Sequence, residues 1–235
     1  MITTVRNLLL NPARTLFMGA VLGLAACGTN EREVELGGII KDFGTRVLTK
    51  EDPANQQAPL QVTRAQVDVS KLPVIRVRLE GTGATSILIE VDRKGPNATF
   101  KTADGITLMF RAGVLIGTRG LGQDLMALAA PDIRQAVRAG ETSRDYRYLD
   151  GDEHLATVTL SCHVTSEPHA PLNILGHSHA VNLVREQCSG TNLEDAPVSF
   201  ENFYWVAPNS SQIWQSRQYV SEKFGRAEIE VLKAR

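Results

Sequence analysis

From residue 60 onward, apolar and polar side chains alternate with a period of two in one short segment after another. Such alternation is typical of β-strands with one buried face, because successive side chains point to opposite sides of a sheet. Strands are predicted over residues 61–67, 73–80, 85–92, 99–102, 107–111, 114–118, 144–149, 155–164, 173–175, 180–186, 198–206, 212–220 and 227–233. Most connections are too short for a parallel crossover, which needs a dozen residues or more. The pattern therefore predicts a mainly β protein, with antiparallel strands in a sandwich or a partly open barrel.

A short helical insertion interrupts the strand pattern around residues 121–140. Two helices are predicted there, over residues 123–129 and 131–139. The second is marked by a proline at its start and by Gly140 just past its end, positions that these residue types favour. With this insertion included, we expect residues 59–235 to form a single antiparallel β domain.

The first 26 residues have the pattern of an export signal. Two arginines are the only charged side chains, and the apolar run over residues 16–26 is too short for a bilayer-spanning helix of about 20 residues. Small residues stand directly before Cys27, and this arrangement resembles a bacterial lipobox. The resemblance implies that residues 1–26 are a lipoprotein signal peptide and that Cys27 carries acyl chains such as palmitate.

The lipid on Cys27 is expected to decide where the protein resides. Each buried methylene contributes about 0.8 kcal/mol, so two or three chains hold a protein on a membrane almost permanently. Gly28 follows the cysteine, where an aspartate is the usual inner-membrane retention signal in enteric bacteria. By that resemblance we expect an outer-membrane lipoprotein that faces the periplasm. Residues 27–58 would be its lipidated amino terminus and a tether with one short helix.

Charge and cysteine content narrow the function classes. A net charge of −1, without a clustered basic face, argues against nucleic acid as a partner.

Once Cys27 is acylated, Cys162 and Cys188 remain as an even pair in an oxidising compartment. A disulfide between them would stabilise the fold by about 3 kcal/mol on the chain-entropy model. Two unpaired, buried thiols are the alternative.

The chain contains none of the common catalytic signatures, such as a nucleophile elbow, a zinc-protease helix motif or a phosphate-binding loop. His177 and His179 share a face of an extended segment, but no carboxylate is spaced to complete a zinc site with them. We therefore predict a protein without catalytic residues, metal or cofactor. The alternative is a polysaccharide hydrolase or lyase, whose carboxylates would be Asp124, Asp150 or Asp152.

Aromatic residues are concentrated near the carboxyl end, where seven of them lie between residues 200 and 224. Alternation in a strand must place some of these rings on each face of the sheet, so one face could present a platform for sugar rings. Core packing is the alternative for most of them. The residues predicted to contact a glycan or a partner are Tyr204, Trp205, Trp214, Arg217 and Gln218.

Two parts of the sequence resemble the YjbF/GfcB-type group 4 capsule polysaccharide lipoproteins. They are the glycine-rich stretch at residues 111–125, and the motif at 202–206 together with the segment 213–218 that follows it. The resemblance implies a non-catalytic component in exopolysaccharide or capsule production. It would be anchored to the membrane through Cys27 and would contact polysaccharide or proteins of the export machinery. A structural protein of envelope assembly is the third alternative.

Replacing Cys27 by serine tests the lipoprotein prediction. Without the thiol no acyl chain can be attached, so the Cys27→Ser protein should lose palmitate labelling and leave the outer-membrane fraction. Fractionation of labelled cells measures both effects, and Cys162→Ser is the control that leaves labelling unchanged. Membrane retention of an unlabelled Cys27→Ser protein would contradict the prediction.

Overall fold

The computed structural model describes residues 62–149 and 154–235. Within these ranges, twelve antiparallel strands form one sheet in the order β5-β4-β3-β2-β1-β12-β11-β10-β9-β8-β7-β6. The strands are β1 Val74–Leu79, β2 Thr85–Lys94, β3 Asn97–Lys101, β4 Thr107–Arg111, β5 Val114–Arg119, β6 Ala127–Ala129, β7 Glu141–Leu149, β8 Leu155–Ile174, β9 His177–Thr191, β10 Pro197–Val206, β11 Ile213–Ser221 and β12 Gly225–Lys233. Two short helices accompany them, α1 Arg64–Val69 and α2 Ile133–Ala139. The predicted mainly β, antiparallel class is confirmed.

The two edge strands, β5 and β6, lie next to each other and nearly close the sheet into a barrel. The Thr118 amide donates to the Leu125 carbonyl at 2.9 Å, and the Leu125 amide donates to the Thr118 hydroxyl at 3.0 Å. The Arg119 guanidinium donates to the carbonyls of Leu125 and Met126, each at 3.2 Å. These bonds satisfy edge groups that an open sheet would leave available to another chain. Of the two predicted architectures, the barrel is the one observed.

The strand predicted over residues 61–67 is wrong, because α1 occupies this region. Its start is a capping box, in which the Thr63 amide donates to Gln66 Oε1 at 2.8 Å and the Gln66 amide donates to the Thr63 hydroxyl at 3.3 Å. The two bonds satisfy backbone donors that the first turn of a helix leaves unpaired. The capping box therefore stabilises a helix here, although the side chains alternate as in a strand.

The helix predicted over residues 123–129 is also wrong, whereas the second predicted helix is confirmed as α2. Residues 120–126 form a loop, and β6 follows it. Asp124 organises this loop, since its carboxylate accepts from the amides of Gly120 and Leu121 and from the Thr118 hydroxyl, at 2.9, 3.2 and 2.8 Å. An acidic side chain used in this way competes with helix formation.

Strands β8 and β9 form the longest hairpin, and its tip covers the outside of the barrel. The predicted strands 155–164 and 173–175 are joined here in the single strand β8, with a register shift between His169 and Leu172. A small cluster of buried apolar residues lies beneath the tip, and we refer to it as the outer core. It contains one residue each from the tip, α1, β1, β12 and the segment before α1: Ile174, Val67, Val74, Leu232 and Val62. The outer face of β1 and β12 is therefore buried at Val74 and Leu232, and partly exposed farther along at Arg78 and Glu228.

Inside the barrel, a buried ion pair lies among apolar side chains. Arg144 on β7 and Glu186 on β9 are 1% and 0% exposed, and Arg144 Nε donates to Glu186 Oε1 at 2.7 Å. The Tyr204 hydroxyl accepts from Arg144 at 3.1 Å, and Asn202 Nδ2 donates to Glu186 Oε2 at 2.9 Å. Burial alone would lower the pKa of Arg144, but the facing Tyr204 and Glu186 raise it above its ordinary value. The Arg144 guanidinium therefore stays charged, and its contacts link three strands.

Cys162 and Cys188 face each other across β8 and β9 and are joined by a disulfide. Both are fully buried next to Glu186. These three residues are the one group of possible metal ligands found in the described part of the chain, but each sulfur is bonded to the other. The disulfide therefore belongs to the core around the ion pair.

Several sequence-based predictions fall outside the described residues. These are the signal peptide, lipidation at Cys27, the tether helix, and the carboxylates Asp150 and Asp152. Neither of the two described helices has the length and apolar character required to span a membrane.

Removing one member of the buried ion pair should be costly. Glu186→Gln leaves the Arg144 charge in the interior without its counter-charge, and we expect the free energy of unfolding to fall by roughly 3–5 kcal/mol. Denaturant titration measures this change. The matched control is Glu228→Gln, which removes a partly exposed partner of both Arg78 and Arg217 and should cost less than about 1 kcal/mol. Equal costs for the two variants would contradict this account.

Candidate functional site

Two aromatic residues of β10, Phe203 and Trp205, lie on the outer face of the barrel. Arg185 of β9 and Arg217 of β11 are the residues directly opposite Phe203 in the neighbouring strands. The Arg185 guanidinium lies over the Phe203 ring at 5.5 Å from its centroid, within the range of a cation–π interaction. We refer to Arg185, Phe203, Trp205 and Arg217 as the outer strip. It combines ring faces with guanidinium donors on one surface.

Carboxylates lie beside the cations of the outer strip. Arg217 Nε is 3.2 Å from Glu228 Oε1, an ion pair without hydrogen-bond geometry, and Arg185 is 4.0 Å from Glu201. The charges therefore largely compensate one another. Exposed pairs of this kind contribute little stability. Because Arg217 Nε is itself buried, only the exposed part of this guanidinium is accessible to a ligand.

Trp214 precedes Gln215, the residue opposite Trp205, but its ring has other contacts than the rings of the outer strip. Its ring stacks on His179 with centroids 3.7 Å apart, and it packs against the outer core. Burial lowers the pKa of His179, and the nearby charges of His177 and Arg64 lower it further. Neutral His179 is therefore the form that stacks on Trp214 at neutral pH.

Tyr204 and Gln218, also predicted to contact a ligand, are 0% and 2% exposed. Burial raises the pKa of Tyr204, whose hydroxyl accepts from Arg144. Gln218 accepts from the Leu115 amide at 2.8 Å and donates to the Gly113 carbonyl at 3.0 Å, so it links β11 to the far side of the barrel. Both side chains belong to the interior, and the contact prediction stays open for Trp205, Trp214 and Arg217.

A cleft of about 360 Å³ opens at one end of the barrel, and we refer to it as the end cleft. Phe200 and Tyr219 stack there with centroids 4.0 Å apart, and Tyr146 meets both rings edge-on at 5.8 and 5.9 Å. The Tyr148 hydroxyl donates to the Val220 carbonyl at 2.8 Å. Burial raises the pKa of Tyr146 and of Tyr219 to about 12. The cleft thus has a preformed aromatic wall.

A larger cleft of about 530 Å³ lies beside Trp214 at the other end. Two of its three cations are engaged by the protein itself, because Arg93 pairs with Glu90 and Lys233 donates to the carbonyls of Asp68 and Ser70; the third is Arg235. This cleft therefore offers fewer free polar groups than its size suggests.

Sequence reasoning missed Tyr146, Tyr148 and Arg185. The first two lie with Arg144 at alternate positions of β7, all with side chains in the interior or the end cleft. This alternation is visible in the sequence, and it is the signal by which the two tyrosines can be found. Arg185 carries no sequence signal, since only strand pairing places it beside Phe203.

The sequence profile of the group 4 capsule polysaccharide lipoproteins (GfcB, YjbF) matches residues 35–232. This chain belongs to that family. Membership makes it a lipoprotein related to capsule polysaccharide production and implies a membrane-anchored location in the cell envelope. The predicted family is confirmed.

Two solved structures are similar to this chain. The hypothetical lipoprotein YmcC from Escherichia coli K12 has a TM-score of 0.63 and 21% identity, over 74% of this chain and 90% of that chain. A protein from Bacteroides fragilis, described as exported and YmcC-like in fold, has a TM-score of 0.29 and 12% identity, over 68% and 93% of the two chains. At such identity the YmcC likeness shows the fold alone. No curated protein matches the sequence.

The buried tyrosines should make the fold sensitive to high pH. An unfolded tyrosine has an ordinary pKa of 10.0, whereas Tyr146 keeps its proton until about pH 12 in the folded state. Above pH 10.0 the folded chain therefore binds more protons, and the free energy of unfolding should fall by about 1.4 kcal/mol per pH unit for Tyr146 alone. Denaturant titrations at several pH values measure the slope, which Tyr146→Phe should reduce. Tyrosine absorbance that titrates fully near pH 10.0 in the folded protein would contradict this assignment.

Proposed function

We propose that this lipoprotein supports the production or export of exopolysaccharide by binding glycan without transforming it. A lipid on Cys27 would hold it at the periplasmic face of the outer membrane. The observation that carries the proposal is the outer strip, in which two exposed-face aromatic rings lie beside two guanidinium groups. Family membership supports the connection with capsule polysaccharide.

The chemistry of the outer strip suits a glycan. Aromatic faces take the C–H face of a sugar ring, while guanidinium groups donate hydrogen bonds to hydroxyl or carboxylate oxygens. The strip is shallow and open, so a single contact would be weak. A membrane tether compensates for this, since confinement raises the effective concentration of the protein near an exported chain.

The position of Asp124 argues against the hydrolase or lyase alternative. Its carboxylate accepts two backbone amides and a hydroxyl within its own loop, which leaves it committed to the loop structure. General acid–base catalysis by paired carboxylates needs both groups directed toward one glycosidic bond. A non-catalytic role is the better fit to this arrangement.

The two tryptophans allow the proposal to be tested directly. The full lipoprotein in detergent, titrated with exopolysaccharide from the same cells, should show a saturable change in tryptophan fluorescence. Trp214→Phe, which leaves Trp205 as the reporter, should retain the change, whereas Trp205→Phe should abolish it. Phe203→Ala in the Trp214→Phe background should weaken binding roughly tenfold, the amount expected for loss of one aromatic contact.

Two results would contradict this proposal. The first is the absence of any saturable signal, and the second is a signal that follows Trp214 while Phe203→Ala has no effect. Co-purification of an export-machinery protein with lipoprotein that binds no glycan would instead favour the envelope-assembly role.

A further inference from the structure

We propose that the end cleft is a second glycan contact and that it takes a sugar unit without an acidic group. This inference rests on the proposed function, because it assumes that the ligand is a glycan. It concerns different residues from the outer strip, and it names the chemical class of sugar that this cleft accepts.

The aromatic wall of the end cleft, formed by Phe200 and Tyr219, can contact the apolar face of a sugar ring. Phe200 and Tyr219 are parallel at 4.0 Å, and both are partly exposed. Tyr146 stands edge-on against them from inside the barrel and fixes their positions. Since the wall is held by the core, a ligand would not have to order it, which reduces the free-energy cost of binding.

Polar groups surround this wall at the mouth of the cleft. Asn192, Glu194, Ser221 and Glu222 line the cleft around the Tyr219 ring. Asn192 Nδ2 donates to the Glu222 carboxylate at 3.0 Å, so the two turns that carry these residues are held together. Amide, hydroxyl and carboxylate groups together provide the donors and acceptors that sugar hydroxyls require. The cleft volume of about 360 Å³ is sufficient for one or two sugar rings.

The charge of the cleft excludes acidic sugars. Three carboxylates line it, from Asp124, Glu194 and Glu222, and none of its described lining residues is Lys, Arg or His. A uronic acid or a phosphorylated sugar would bring a like charge into a partly enclosed space, where the repulsion is stronger than in bulk water. The outer strip, with its two arginines, does not discriminate in this way. Of the two surfaces, the end cleft is therefore the one that selects neutral sugars from a mixed polymer.

Short oligosaccharides of matched length test this inference. Calorimetric titration of the full lipoprotein in detergent should show saturable binding of cellotriose, and trigalacturonic acid should bind at least roughly tenfold more weakly. Glu194→Lys reverses one charge at the mouth, and it should raise the affinity for trigalacturonic acid relative to that for cellotriose at least roughly fivefold. Because Glu194 is exposed in a turn, the variant should keep the thermal midpoint of the parent.

The same titrations distinguish a failure of this inference from a failure of the proposed function. Cellotriose should still bind saturably to the Phe203→Ala variant, because this change alters the outer strip and leaves the end cleft intact. Binding of exopolysaccharide that depends on Phe203, with no saturable binding of cellotriose, would overturn the inference and leave the proposed function standing. Equal affinity for the two trisaccharides, with no response to Glu194→Lys, would also overturn it.

Discussion

The buried ion pair between Arg144 and Glu186 sets the arrangement of the strands around it. Two charges in the interior of a barrel are tolerated only where each finds its partners, and here β7, β9 and β10 must all contribute for this to happen. A slip of one residue in β7 or β9 would turn Arg144 or Glu186 to the outside and leave the other charge unpaired, and a slip in β10 would remove the hydrogen bonds of Tyr204 and Asn202 to the pair. The pair therefore specifies the register of β7, β9 and β10 even where it adds little net stability.

The outer strip and the end cleft both follow from that register. Because Tyr204 points inward to meet Arg144, its neighbours Phe203 and Trp205 must point outward. Phe200 lies four residues before Tyr204 on the same side, and so it reaches the end of the barrel where Tyr219 and Tyr146 meet it. A polar contact in the core thus decides which rings meet solvent and which line a cleft.

The two surfaces suit a protein that holds a polymer weakly at several points. The outer strip is open and carries compensated charges, whereas the end cleft is partly enclosed and acidic. For a molecule tethered to a membrane, separate weak contacts with one long chain can act together, since the first contact raises the effective concentration for the second.

The sequence by itself determined the class of this protein, because strand alternation, short connections and motif order are local properties that need no partner to be recognised. It predicted eleven of the twelve described strands in place, with 155–164 and 173–175 both falling within β8, and it identified the family. The strand predicted over residues 61–67 and the helix predicted over residues 123–129 are wrong, because a capping box and the Asp124 carboxylate stabilise a different local structure at each place.

Only the tertiary structure decided the side on which each aromatic ring lies, the closure of the sheet by Thr118 and Leu125, and the contact between Arg185 and Phe203. These outcomes depend on pairing between strands far apart in the chain, and a period of two is the same for a ring that faces the core and for one that faces solvent.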